Sequence, residues 1–370
     1  MDGYVRAEIS VSALQHNIDL LRGVLSPGVG LCAVVKANAY GHGIRQVLGV
    51  MGGSADMLGV ASCSEAVTLR EMGWQRPILQ FALSGAMDAD ALGQLIVYNI
   101  FLSLTHRQEL GLLAEAAGRV GRPAQVHIKI DTGMTRSGVL PENLPELYRL
   151  AQDNPNIRVA GMYTHFACSE DPDKRPTLEQ LDRLRRALAD CGNPQVCLHA
   201  ANSAAAMDLP QTHLTMVRPG LALYGVQPGP ALQRKLALRP AMRVKAPIVL
   251  VKDVPAGAQS GYGWTYRFDK PARLALVPIG YADGYFRSFS NQAVMQVRGV
   301  DCPVRGRVSM DQTVIEVTHL PPLRVGEEAV VISSDPAAAN SLENLARLAN
   351  TIPYEVVCRL GDRITRQAVA

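Results

Sequence analysis

Residues 31–37 read LCAVVKA, an apolar run that ends on a lysine and an alanine. A strand exposed on one face alternates apolar and polar residues, whereas a strand covered on both faces reads as a continuous apolar run. Seven further runs share that character: 57–62 (MLGVAS), 77–81 (PILQF), 100–104 (IFLSL), 124–131 (AQVHIKID), 159–166 (VAGMYTHF), 196–201 (VCLHAA) and 214–218 (LTMVR). Helical segments fall between them. Eight β/α units in about 230 residues predict a parallel (β/α)8 barrel of the TIM type. A doubly wound open sheet is the competing arrangement. The barrel is preferred because the count closes, and because polar motifs follow several strands instead of gathering at one switch point.

The helices carry their own signals. After Ser10, the residues Val11, Leu14, Ile18 and Leu21 fall on one face. Ser62 and Glu65 have capping-box spacing, with apolar Ala66, Leu69 and Met72 behind them. Leu181, Leu184 and Leu188 form another apolar stripe. Near residue 230 the pattern changes. PGPALQRKLALRP reads as a linker, and beyond it come short strand-like runs at 244–251, 273–279, 293–298, 313–317 and 328–333, then a helix at about 341–350. The expectation is an α/β + β chain: a barrel over 1–232, whose first few residues could join the other unit, and a C-terminal mainly β domain over 233–370.

Composition narrows the function. The chain has 370 residues, 48% hydrophobic and 19% charged, with 37 basic against 33 acidic residues. A net charge of +4 without a basic run gives no reason to expect a nucleic-acid partner. The seven cysteines form no CxxC pair, which argues against a disulfide framework and against a zinc or other metal site. Reduced thiols fit a cytoplasmic protein. MDGYVRAEIS lacks a secretory signal, and no apolar run approaches the roughly 20 residues of a membrane helix, so a soluble chain with no membrane partner is expected.

Chemistry is concentrated at the strand ends. Lys36 closes the first run, followed by Tyr40 and two glycines. Taken alone, such a lysine more often snorkels or pairs than catalyses. KIDTGMTRSG adds Lys129, Asp131 and Arg136, with a structural Lys–Asp pair as the plainer reading. YTHF adds His165. HAANSAA offers Asn202 and Ser203 as hydrogen-bonding groups. VRPGLALYG offers Arg218, Gly220 and Leu221, and the loops after strands seven and eight are frequent phosphate sites in barrels. The β domain contributes SGYGWTY, PIGYADGYFR, GRVSMDQ and IPYE, which hold Tyr262, Tyr281, Met310, Asp311 and Tyr354.

Taken together, and with AVVKANAYGHG at 33–43, these motifs resemble the alanine racemase family along almost the whole chain. The resemblance implies a (β/α)8 barrel with a C-terminal β domain, pyridoxal 5'-phosphate as cofactor, and a head-to-tail homodimer with shared active sites. It makes Lys36 the Schiff-base lysine and Tyr262, from the other subunit, a second catalytic base. Tyr40, Ser203, Gly220, Leu221 and Tyr354 would hold the phosphate. Arg218 would face the pyridine nitrogen and Arg136 the phenolic oxygen, with His165 and Asn202 beside the ring. Met310 and Arg136 would meet the substrate carboxylate, while Tyr281 and Asp311 border the entrance. Lys129 matches a position carbamylated in some members. The implied reaction is conversion of L-alanine to D-alanine and back, supplying D-alanine for the cell wall or breaking it down. A serine or broad-specificity racemase of the same fold is the near alternative. A decarboxylase of related barrel, or a non-catalytic cofactor-binding protein, is more distant. Two departures stand out: SGYGWTY where the family more often has VSYGRTY, and TRSG where NRLG is commoner.

Overall fold

Eight parallel strands close on themselves in the computed structural model, which describes residues 5–83, 87–229 and 231–370. Before the barrel, β1 (Arg6–Ser10) leads into a helix at Val11–Val24. The barrel strands are β2 (Gly30–Val34), β3 (Met57–Val60), β4 (Ile78–Leu83), β5 (Phe101–Leu104), β6 (Ala124–Lys129), β7 (Ile157–Tyr163), β8 (Cys197–His199) and β9 (Met216–Val217). Each pairs in parallel with the next, and β9 returns to β2 through Gly30–Met216 and Leu31–Val217. The expected barrel is therefore the observed one, and the open sheet is excluded.

Helix ends follow the sequence cues. Ser10 Oγ accepts from Ala13 N–H, and Ser62 with Glu65 forms a complete capping box at Cys63–Glu71. Leu14, Ile18 and Leu21 are buried as expected, but Val11 is exposed. It sits in the first turn, where Ala13 takes the inward position instead, and Asn17 joins the buried face one turn on.

The C-terminal part contains β10 (Met242–Pro247), β11 (Leu250–Val254), β12 (Gln259–Ser260), β13 (Tyr266–Arg267), β14 (Ala272–Val277), β15 (Val294–Val297), β16 (Val300–Pro303), β17 (Thr313–Glu316), β18 (Glu328–Ile332) and β19 (Thr365–Val369). Six strands form one sheet in the order β16-β15-β18-β10-β1-β19, so the N-terminal strand lies among C-terminal ones. A second sheet runs β11-β14-β17, and β12 pairs with β13.

The run at 244–251 is two strands rather than one. Pro247 has no N–H to extend the ladder, Ile248 N–H makes a last bond on the β18 side to Glu327 O, and Val249 N–H already bonds Leu276 O, so that Leu250 opens the other sheet opposite Leu276. Strand β16 was not expected. It follows a tight Arg298–Gly299 turn with φ of 54° and 78°, a hairpin geometry more often announced by Asn-Gly or Asp-Gly. Among the described residues, no helix is long and apolar enough to cross a membrane.

Candidate active site

The chain leaves β2 in an unusual way. Beyond half-buried Lys36, four consecutive residues are left-handed: Ala37, Asn38, Ala39 and Tyr40, with φ of 53°, 53°, 55° and 51°. For residues other than glycine, each costs on the order of 1–2 kcal/mol. Local bonds hold the turn: Ala39 N–H to Val35 O at 2.8 Å, Gly41 N–H to Ala37 O at 2.9 Å, and Ile44 N–H to Asn38 Oδ1 at 2.8 Å. Glu65, a helix cap in the next β/α unit, also accepts Ala37 N–H at 2.6 Å. Burial lowers the pKa of the Lys36 amine, and Arg136 lowers it further against the opposing pull of Cys358 and Glu65. A lowered pKa leaves more of the amine neutral, the form that attacks a carbonyl or accepts a proton.

The turn delivers Tyr40 to a small aromatic cluster. Its ring centroid lies 5.2 Å from that of Tyr224 and 5.8 Å from that of Tyr354, which the short helix Pro353–Cys358 supplies. Gly220 sits directly against Tyr40. A Cβ there would lie 2.6 Å from Tyr40 Oη. Gly220 N–H donates to Ser203 Oγ at 2.8 Å, and Ala222 N–H reaches the same oxygen at 3.3 Å. Tyr40, Ser203, Gly220 and neighbouring Leu221 therefore converge where β8 and β9 end. Asn202 caps the helix Ser203–Asp208, its Oδ1 accepting from Ala205 N–H and from Ser169 Oγ.

At the end of β6, Lys129 is buried and donates to Ser137 Oγ. Burial, then Arg136 and Arg218, bring its pKa down to about 8. The plainer Lys–Asp pairing is not what forms. Burial alone would raise the Asp131 pKa, but its carboxylate accepts four backbone N–H groups, from Gly133, Met134, Thr135 and Arg136, and the net shift is downward. Asp131 thus shapes the loop that carries Arg136 and, while still pulling the Lys129 pKa up, forms no direct ion pair with Lys129.

Arg218 is 4% exposed and forms no ion pair among the described residues. Its guanidinium donates to neutral acceptors: His199 Nδ1 at 2.9 Å, Thr164 O at 2.8 Å, His165 Nδ1 at 3.2 Å and Ala200 O at 3.2 Å. It also lies over Tyr163, 5.2 Å from the ring centroid. Burial and the cations Arg218, Arg136, Lys129 and Lys36 drive the His165 pKa down to about 3, so this ring is neutral. Gln180 steadies the loop of His165 by donating to His165 O and accepting from Ala167 N–H.

The β-domain residues lie apart from this cluster. Tyr262 is 72% exposed, between Gly261 and Gly263 in a turn where both have positive φ. Met310 is 53% and Tyr281 42% exposed, in loops joined by Tyr281 N–H to Ser309 O and Ala282 N–H to Met310 O. Asp311 pairs with Arg363 at 2.8 Å. Among the described residues, none of these four hydrogen-bonds to Lys36, Arg136 or Arg218 within the protomer. Sequence reading passed over Glu65's second role, Ser137, Tyr163, Gln180, His127 and His199. A usable signal was register within β6: His127 and Lys129 are two apart and so share one side of that strand.

The donor set fits an aromatic aldehyde phosphate. It offers a lowered-pKa amine, a cradle at Gly220 that a side chain would fill, hydroxyls at Tyr40 and Ser203, and two arginines that form no ion pair among the described residues.

Fold and cluster define a TIM-barrel enzyme with an attached β domain, its chemistry gathered at the C-terminal ends of the barrel strands. The chain matches the description "Alanine racemase, N-terminal domain" over residues 9–228 and "Alanine racemase, C-terminal domain" over 241–368. It is 39% identical to the alanine racemase of Desulfovibrio desulfuricans, covering 99% of this chain and 98% of that one. It is 38% identical to that of Methanococcus maripaludis, covering 97% of each. Among solved structures, the alanine racemase of D-cycloserine-producing Streptomyces lavendulae superposes with a TM-score of 0.93 at 36% identity, covering 100% and 98% of the two chains. That of Clostridium difficile 630 gives 0.92 at 32% identity, covering 98% and 95%. The chain belongs to the alanine racemase family and is an isomerase.

Proposed function

We propose that this enzyme interconverts L-alanine and D-alanine with pyridoxal 5'-phosphate, using two bases from different subunits of a homodimer. The observation that carries the reading is a lowered-pKa amine, Lys36, electrostatically coupled to the same His165 that accepts from Arg218, a buried arginine with no ion pair among the described residues. Lys36 would be the covalent attachment point. Tyr40, Ser203, Gly220, Leu221 and Tyr354 would hold the phosphate, with Arg136 toward the phenolic oxygen and His165 and Asn202 beside the ring. When bound, the cofactor supplies a conjugated sink for the electron pair left as an amino acid loses its α-proton. Arg218 would offer the ring nitrogen a donor that keeps its proton, because arginine does not deprotonate in proteins.

Racemisation needs a proton removed from one face of the α-carbon and returned to the other. Lys36 Nζ would serve one face and Tyr262 of the partner subunit the other. A tyrosine ordinarily titrates near 10, so it needs cationic or hydrogen-bonding neighbours, here His165 and Arg218. The exposure of Tyr262 on its own protomer supports a place against a second copy. Arg136 and the Met310 backbone N–H would hold the substrate carboxylate, with Tyr281 and Asp311 at the entrance. Lys129, its pKa near 8 and without an ion pair among the described residues, is the amine suited to carbamylation. We place the reaction in the cytoplasm, supplying D-alanine for the cell wall.

Borohydride reduction of the holoenzyme followed by peptide mapping should tag Lys36, and a racemisation panel should rank alanine first with no release of CO2. An untagged Lys36 refutes the attachment. A panel led by serine replaces the substrate assignment. Tyr262→Phe should slow α-proton removal from one enantiomer far more than from the other, and equal losses refute the division of labour.

A further inference from the structure

Behind Arg218 lies a second polar layer that the proposed chemistry does not use. His199 Nε2 is 2.8 Å from His127 Nδ1, and both rings are fully buried. Hydrogen-bond logic fixes every proton in this pair. Arg218 Nη1 can only donate, so His199 Nδ1, at 2.9 Å, must present its lone pair. The proton of a neutral His199 is then on Nε2. That N–H points at His127 Nδ1, which must also present a lone pair, so the His127 proton is on Nε2. Protonating either ring would set donor against donor.

We propose that His127 and His199 form a one-directional hydrogen-bond relay in which His127, a positioning residue, accepts the Nε2 proton of His199, so that the tautomer Arg218 requires is also the one with no unmet donor, and the orientation of Arg218 is held from behind. This rests on the reading of Arg218 as the group facing the cofactor nitrogen only for its effect on turnover.

Two costs support a purpose beyond packing. His127 Nε2 has no hydrogen-bond partner among the described residues, and an unmet buried donor typically costs about 1–3 kcal/mol. On β7, Gly161 stands opposite His127, and a Cβ there would collide with the imidazole at Nδ1 and Cε1. A leucine or phenylalanine at 127 would avoid the first cost. The ring is fixed by Phe101, stacked at 5.2 Å between centroids, and His199 by Tyr163, stacked at 4.8 Å with planes 6° apart. Burial, then Arg218, brings the His127 pKa down to about 3, and the same causes, joined by His127, push His199 well below its ordinary value. Two neutral rings therefore orient a buried cation without diluting its charge, which an aspartate in the same place would do.

The test uses the holoenzyme labelled with 15N-histidine, its rings assigned by single substitutions. Long-range 1H–15N correlation should show both His127 and His199 neutral, with the proton on Nε2, from pH 5 to 9. A ring that titrates in that range, or carries its proton on Nδ1, overturns the relay. His127→Asn places an acceptor where Nδ1 was, and His127→Leu removes it. The asparagine variant should keep His199 protonated on Nε2. The leucine variant should mix the tautomers and lower kcat by roughly tenfold, as loss of an outer-layer partner commonly does. An unchanged His199 in the leucine variant refutes the proposal. A mixed His199 with undiminished kcat leaves the relay standing and refutes the role given to Arg218.

Discussion

Replacing Gly220 with alanine tests the cradle at its narrowest point. The new Cβ would lie 2.6 Å from Tyr40 Oη and 3.1 Å from Cζ, where ordinary contact begins at 3.4 Å. The hydroxyl must therefore retreat by about 0.8 Å, and Tyr224 and Tyr354 restrict how the ring can tilt. A phosphate hydrogen bond stretched that far is effectively lost. Bonds to a charged group contribute about 1.5–3 kcal/mol, so cofactor affinity should fall roughly ten- to a hundredfold. Overpacking should also lower the stability of the cofactor-free protein by about 1–3 kcal/mol. The assay is spectroscopic titration of cofactor-stripped protein with pyridoxal phosphate, repeated in a Tyr40→Phe background. Tyr40→Phe alone should weaken binding by loss of the same hydrogen bond, and Gly220→Ala should then add much less, because only the milder 3.1 Å contact with Cζ remains. An affinity within threefold of wild type, or a full second loss in the double variant, would show that Gly220 is not spaced for Tyr40.

Three further outcomes follow from the structure. Ala37 is exposed and left-handed, so Ala37→Gly should relieve strain that exceeds the entropy cost of glycine and raise Tm by about a degree or two; a lower Tm would contradict the strain. Fully buried His42, His127 and His199 are held neutral, the first two with pKa values near 4 and 3. Their unfolded forms bind protons near 6.5, so the stability they contribute is complete above that pH. It is lost as pH falls toward the folded values, by up to about 1.4 kcal/mol per unit for each ring. Urea midpoints that stay flat between pH 6.5 and 5 would exclude this. Ser137→Ala removes the only hydroxyl that Lys129 bonds among the described residues, and should cost about 1 kcal/mol in urea unfolding, with no loss if the bond is absent in solution.

The barrel was legible because buried parallel strands write themselves as apolar runs, and because polar motifs after several of the eight favoured a closed barrel over an open sheet. The C-terminal sheets were harder to read. Membership there depends on non-local partners: the first few residues were expected to be able to join this unit, but that β1 would lie between β10 and β19, from the far end of the chain, is set by those partners and not by RAEIS itself. The run broken at Pro247 had a visible proline, but the sheet change after it is set by Glu327 and Leu276. In the site, charged residues at strand ends drew notice and the neutral groups serving them did not. His199 stood inside a motif already singled out, yet its value comes from a bond to His127 on another strand. Glu65 looked complete as a helix cap. Its second bond, to Ala37 N–H, exists only because the left-handed turn brings that N–H within reach.

That turn also explains how a small chain segment can serve several ends at once. A right-handed continuation from Lys36 would carry Tyr40 along a different path. Four left-handed residues instead take the chain back, so that Tyr40 reaches Gly220 at the end of β9 and Tyr354 in the C-terminal part. The strain is local, while its compensation is spread over a glutamate that follows the second barrel strand, an asparagine within the turn and aromatic partners, Tyr224 and Tyr354, from two distant segments. Such strain persists only where surrounding contacts over-determine the conformation. Loosening any one of them should therefore disturb Lys36 and Tyr40 together, and the geometry of the amine and the cradle should prove inseparable.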